Sequence, residues 1–295
     1  MKFISITHCS AQKSAPSEVS LNGTVMSQSN LEASWLSQIN KKTGSLAASN
    51  LYKGRGFQTL LKKLWGGHSL YVVSAGLGLV NIKEEIPSYD CTISSGHKSS
   101  LDNNCSDKPN LTEWWRAIST GQFSSGLISE LKEKPDFILI SLTLKYLKMV
   151  EEDLRKTDIV KIIFTGPSNN INDLGQNVIR APYANPLDGP DSPIRGTKSD
   201  FAQRCHSDFL ERLRMHNDLD ISLASVEQDM TQWRRPKEIN NQKFNDAEIL
   251  RLIIGNKDKY NSVGKLHKYF RHELKVACEQ KRFTKLYRQA FGKWH

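Results

Sequence analysis

The sequence predicts an α/β protein, a three-layer sandwich with a mostly parallel central sheet, followed by a small basic helical module. Three observations lead there. Short apolar runs alternate with helix-spaced segments over the first two-thirds of the chain, the pattern of strands covered by helices on both faces. A polar stretch near residue 240 then separates this part from three closely spaced helical segments. Finally, the positive charge gathers at the far end: Ser262–His295 holds nine Lys or Arg against two Glu, +7 of a total of +10.

The elements follow in order. Lys2–Thr7 is a β-prone run that ends at the polar cluster His8-Cys9-Ser10. A helical stretch around Gly56–Trp65 precedes a second strand, Ser69–Ser74. Asp136–Ser141 and Asp158–Thr165 are near-continuous apolar runs, as in strands buried on both sides, and Leu142–Lys156 between them has helical spacing. Two long stretches read as irregular: polar Ser94–Asn110, and Gly166–Gly196 with five of the ten prolines. A helix over about Thr197–Met215 and a strand over Asp220–Val226 close this part. A boundary between Trp233 and Phe244 divides the chain into an α/β catalytic domain, 1–235, and a basic nucleic-acid-binding module, 244–295. In the module, Asp246–Ile254, Ser262–His272 and Ala277–Phe291 read as helices, with Asp246 and Ser262 as N-caps. Three short helices with the last two basic suggest a helix-turn-helix arrangement.

Composition narrows the function. A mean hydropathy of −0.50, with no apolar run near the roughly 18 residues of a membrane span, points to a cytoplasmic protein without a membrane partner. The five cysteines are scattered and unpaired in spacing, which argues against disulfides and a structural zinc. The expectation is a monomer needing neither cofactor nor metal. The Asp188–Asp191 run (Asp-Gly-Pro-Asp) could hold a cation but lacks the spacing of a calcium loop. The basic end, where Lys265, Lys268, Arg271, Lys275, Lys281, Arg282, Lys285 and Arg288 are interleaved with Phe270, Phe283, Tyr287 and Trp294, predicts contact with the phosphates of nucleic acid.

Chemistry in open α/β sheets gathers at the carboxyl ends of strands. There the run Tyr71–Thr92 is the most distinctive: a strand delivers Ser74, Gly76 and Gly78 allow a tight turn whose amides could hold an anion or a base edge, and Tyr89-Asp90 follow Pro87. It is not a dinucleotide fingerprint, because the third glycine and the helix are missing. His8, Ser10 and Ser74 could hydrogen-bond a base or phosphate, and Asn169-Asn170 form a second pair for the same pocket. Trp114-Trp115 fit a helix core better than a DNA wedge, and a thiol nucleophile at Cys9 is disfavoured.

Ser74, Ala75, Gly78, Leu79, Ile86, Tyr89 and Asp90, supported by Cys9-Ser10, match an S-A-x-x-G-L…I-x-x-Y-D pattern. The run resembles an uncharacterised bacterial domain family, related to a peroxide-stress DNA-binding protein and to a domain accompanying archaeal tRNA-guanine transglycosylases. The tail, Arg271–Phe283, also looks like that of phage-defence members, while Leu77 stands where an aromatic is frequent. The resemblance implies a uracil-DNA glycosylase-like fold and a DNA glycosylase that excises a modified base, such as glucosylated hydroxymethylcytosine, from double-stranded phage DNA. In that chemistry Asp90 would stabilise positive charge on the sugar and orient a water, and Tyr89 would stack on the extruded base. Two rivals stand beside it: a Mg²⁺-dependent nuclease using Glu84, Glu85 and Asp90, and a non-catalytic nucleic-acid-binding protein.

Overall fold

The apolar runs come together as one sheet in the computed structural model, which describes residues 1–23, 25–132, 134–166, 174–237, 241–260 and 262–292. The sheet strands are β1 (Phe3–His8), β2 (Ser69–Ser74), β3 (Gly78–Asn81), β4 (Phe137–Ser141), β5 (Val160–Ile163) and β6 (Val178–Arg180). Their order is β6-β5-β4-β1-β2-β3. All neighbours are parallel except the β2–β3 hairpin. The chain runs outward from β1 to β2 and β3, then returns to lay β4 on the other side of β1. The strand order therefore reverses between β1 and β4, where a crevice opens at the carboxyl ends.

Two helix groups cover the sheet. The first comprises α1 (Gln28–Ile39), α3 (Leu111–Ile118) and α4 (Leu144–Arg155); the second comprises α2 (Arg55–Leu61), α5 (Phe201–His216) and α6 (Leu219–Gln232). Every residue of β4 is buried, as a strand needs both faces covered to be apolar throughout. Between sheet and α5, the buried His206 ring joins Ser5 Oγ to Ser141 Oγ, 2.9 Å each. Ser141 also donates to the Ile6 carbonyl, so its oxygen accepts from His206 Nδ1 and Nε2 accepts from Ser5. Burial holds His206 down to about 3, a neutral ring bridging two strands.

Three expectations change. Asp220–Val226 is part of helix α6, not a strand: Asp218 caps its start through Ile221 N–H (2.9 Å), and Ser222 and Val226, four residues apart, are the buried positions. Ser94–Asn110 holds a helical turn, Leu101–Asn104, fixed by Asn104 donating to the Lys98 and Ser100 carbonyls at 2.8 Å. The described part of Gly166–Gly196 contains β6 and buries Tyr183, whose hydroxyl donates to Asp208 (2.5 Å).

The chain divides into two compact units, Met1–Pro236 and Lys237–His295. The second contains α7 (Asp246–Gly255), α8 (Val263–His272) and α9 (Gln280–Phe291). Asn245, not Asp246, caps α7, in a capping box with Glu248; Ser262 caps α8. Gln242–Lys243 pairs in parallel with Val276–Ala277, so a strand lies in the α8–α9 connection where a helix-turn-helix has a short turn. Phe270 and Phe283 pack edge to face at 5.0 Å within a core of Ile249, Ile253, Leu266, Leu286 and Tyr287. The aromatics interleaved with the basic residues therefore build this core instead of facing a ligand; Trp294 lies outside the described residues. Among the described residues, no helix is long and apolar enough to cross a membrane.

Candidate active-site cavity and basic groove

A cavity of about 570 Å³ opens where the strand order reverses, within the size range of small-ligand sites. The end of β1 supplies His8 and the segment after it Cys9, Ser10 and Lys13; α4 and the residue before it supply Tyr146 and Thr143; the start of α2 supplies Arg55; Asp90 and Asp200 bring the carboxylates. Of the expected site residues, His8, Ser10 and Asp90 line it. Asn169 and Asn170 lie outside the described residues.

His8 donates from Nδ1 to the Ser141 carbonyl at 3.2 Å, because a carbonyl can only accept. That bond leaves Nε2 as the accepting nitrogen of the neutral ring. Burial pulls His8 below the ordinary histidine range, against the opposing pull of the Ser141 carbonyl. The ring stacks on Tyr146 at 5.2 Å, and Tyr146 in turn meets Cys9 Sγ at 3.1 Å. Ser10 Oγ accepts from Gln12 N–H (3.1 Å), which leaves its own proton to give.

The two cavity carboxylates differ. Asp200 is engaged on every side: Arg55 Nε donates at 3.2 Å, Arg204 Nε at 2.8 Å and Thr197 N–H at 2.8 Å. Burial alone would raise it, but the hydrogen bonds from Arg55, Thr197 and Arg204 outweigh that and hold the carboxyl below its usual range. Asp90 instead accepts from the Ser99 hydroxyl at 2.5 Å and is exposed at the cavity. It is the carboxylate without an arginine partner among the described lining residues.

The Ser74–Tyr89 part of the motif is architectural, contrary to the expected ligand contacts. Ser74 Oγ accepts from Gly76 N–H (3.2 Å) and Leu77 N–H (3.0 Å). Its own proton is left for Tyr89, whose oxygen is 2.6 Å away and a further 3.0 Å from the Tyr52 hydroxyl. Trp114 Nε1 donates to the Ala75 carbonyl (2.8 Å) and Trp35 Nε1 to the Gly76 carbonyl (2.6 Å). The Gly76 and Leu77 amides are thus already taken by Ser74 Oγ and are not held open for an anion. Gly76 is there for space: an added methyl would sit 2.7 Å from the Trp35 ring. Gly78 has φ +74° and packs against Ser124. Tyr89 is fully buried, with Lys13 Nζ 4.3 Å above its ring, so no base can stack there. Trp114 and Trp115 are core residues as well. Among the described residues, the rings that line the cavity are those of His8, Phe57, His97 and Tyr146.

Lys13, Arg55, Thr143, Tyr146 and Asp200 were not singled out in the sequence. Arg55 has a faint signal, standing between Gly54 and Gly56; glycine at 54 lets the chain approach Ser10, since a methyl there would be 2.4 Å from Ser10 Oγ. Glu84 and Glu85 do not line the cavity; Glu85 pairs with Ala47 in a separate two-residue ladder. The carboxylate trio of the nuclease reading is thus not brought together, and no cluster of three or more His, Cys, Asp or Glu is poised for a metal among the described residues. The Asp188–Asp191 run is not a cation loop either: Asp188 accepts from Arg204 (2.8 Å) and Asp191 from Arg234 Nε (3.0 Å).

In the second unit the basic residues line two adjoining depressions that share Glu279 and Gln280. Lys265, Lys268, Arg271 and Arg282 line a groove of about 1060 Å³, joined by Lys243 and His272. Lys281, Lys285 and Arg288 line another depression along α9. Lys275, with φ +54°, donates to the His272 carbonyl and lies in neither. No protein-family model and no curated protein matches this chain.

Proposed function

We propose that the chain is a DNA N-glycosylase whose first unit excises a modified base and whose second unit holds the DNA backbone. The observation that carries the reading is the pairing, in one cavity, of a carboxylate free of arginine partners, Asp90, with a neutral histidine whose Nε2 accepts, His8. Cleavage of the glycosidic bond leaves its electron pair on the departing base and positive charge on the sugar. Asp90 stabilises that charge and orients a water, whose oxygen bonds to the anomeric carbon. The water's proton passes to Asp90 or His8. The Ser10 hydroxyl and the Lys13 ammonium, both lining the cavity, supply donors to the base as it leaves. A base reaches such a cavity by leaving the duplex stack.

The uracil-DNA glycosylase-like assignment is supported by the crevice beside β1 and by the resemblance of the Ser74–Asp90 run. On that resemblance the substrate is glucosylated hydroxymethylcytosine in phage DNA, and the role is antiviral defence in the cytoplasm. The test is incubation of the protein, in EDTA and in parallel with Mg²⁺, with duplexes of modified and unmodified cytosine. Free base and alkali-labile abasic sites in the modified duplex are expected. Strand breaks that require Mg²⁺, or binding without any product, would overturn the proposal.

A further inference from the structure

The basic residues of the second unit line two adjoining depressions, and their division between these allows a sharper statement than overall charge. We propose that the groove beside α8 is a phosphodiester-binding site of the second unit, and that the outer face of α9 is not part of it. The inference rests on the nucleic-acid half of the function proposed above and is independent of base excision.

Lys265, Lys268 and Arg271 are spaced three residues apart on α8 and are all exposed, so they form one cationic edge. Arg282 and Lys243 stand among the other lining residues. Glu279 is the carboxylate among the described lining residues, and Arg282 is held in place by Asp246 Oδ1 at 2.8 Å from its Nε. The groove is also bordered by the starts of two helices, at Ser262 and at Glu279–Gln280; these ends carry partial positive charge and N–H groups that favour an anion. Fixed cations along an edge, with two helix starts beside them, suit a chain of phosphates better than an isolated one.

Gly264 provides a way to block the groove without attacking the fold. It lines the groove in the first turn of α8, and a methyl group there would meet nothing within 4 Å. Glutamate at this position improves helix propensity and places negative charge at a helix start, both favourable to α8, while it projects a carboxylate among the cations.

The experiment measures fluorescence anisotropy of full-length protein on a duplex DNA and on an RNA duplex of the same sequence, across a salt series in EDTA. Gly264→Glu should weaken binding by about tenfold or more near 100 mM salt without lowering the melting temperature. The triple variant Lys265→Ala, Lys268→Ala, Arg271→Ala should flatten log K against log salt by about 3. Lys281→Ala, Lys285→Ala, Arg288→Ala should change that slope by less than about 1. Loss confined to the RNA duplex would still support a phosphodiester site and would identify its source as RNA. The proposal is overturned if the α9 variant flattens the slope and the α8 variant does not, or if the wild type binds neither duplex. A wild type that binds through the groove but releases no base keeps this site and removes the excision reading.

Discussion

The two units handle charge in opposite ways. In the first, the ionic groups at the cavity are few and mostly engaged: Asp200 lies between Arg55 and Arg204, and His8 is kept neutral by burial. In the second, a small core carries exposed cations, and the groove holds Lys265, Lys268 and Arg271 open to solvent. In a cavity, a bound ligand displaces water and so strengthens the charges that face it, which suits a reaction. A row of solvated cations gives affinity that depends on salt and carries no chemistry. On the proposed function, rate belongs to the first unit and attachment to the second.

The largest test of that division is at Asp90. On the proposed function, Asp90→Asn keeps the shape of the cavity and removes its free carboxylate, so base release should fall about a hundredfold to a thousandfold. Undiminished release in a single-turnover assay would remove Asp90 from the reaction.

Gly76→Ala probes the packed turn behind the cavity. Its methyl would press on the rings of Trp35 and Tyr89 and on Cys91 Cβ, at 2.7, 3.1 and 3.2 Å. Overpacking of this kind costs about 1–3 kcal/mol. Urea denaturation should show it, whereas a glycine kept open for ligand approach would give an unchanged midpoint and weakened substrate binding.

His206 sets a pH dependence for the first unit. It is held at about 3 against an ordinary 6.5, so between those values the unfolded chain binds the proton and the folded one does not. The stability from its neutral bridge is therefore complete above about pH 6.5 and declines as pH falls, by up to about 1.4 kcal/mol per unit. Stability by urea titration at pH 7, 6 and 5 should fall along that line. His206→Leu should be less stable at pH 7, because Ser5 and Ser141 lose their partner, but should show a shallower decline.

The smallest effect is expected at Lys275, whose φ of +54° suits glycine. Lys275→Gly should raise stability by about 1 kcal/mol or less and leave duplex binding nearly unchanged. A marked loss of affinity would extend the phosphate site beyond the groove.

How much of this was legible depends on distance along the chain. Apolar runs such as Ser69–Ser74 and Asp136–Ser141 mark their strands directly, because burial on both faces leaves no other pattern. A polar stretch with Arg234-Arg235-Pro236 prompts a boundary between Trp233 and Phe244, and the compact units divide at Pro236. The reading failed at Asp220–Val226, where Ile221 and Leu223 alternate as in a strand while Leu223 and Val226 have helical spacing, and the deciding residue is the Asp218 cap just before them. In the motif region, Ser74, Gly76 and Tyr89 were read as ligand contacts, whereas their hydrogen bonds and packing go to the protein itself. Their partners, Trp35, Tyr52 and Trp114, are far away in sequence, so nothing local distinguishes a packed turn from a binding turn. What the motif does is support the chain up to Asp90. Arg55 and Asp200 meet across 145 residues, a pairing that one sequence cannot display.

The most direct test of the division between the units is single-turnover base release against protein concentration, for wild type, Asp90→Asn and Gly264→Glu on one modified duplex. Asp90→Asn should lower the maximal rate and leave the half-saturating concentration near that of the wild type. Gly264→Glu should raise the half-saturating concentration and leave the maximal rate unchanged. A maximal rate lowered by Gly264→Glu, or one preserved by Asp90→Asn, would contradict the account.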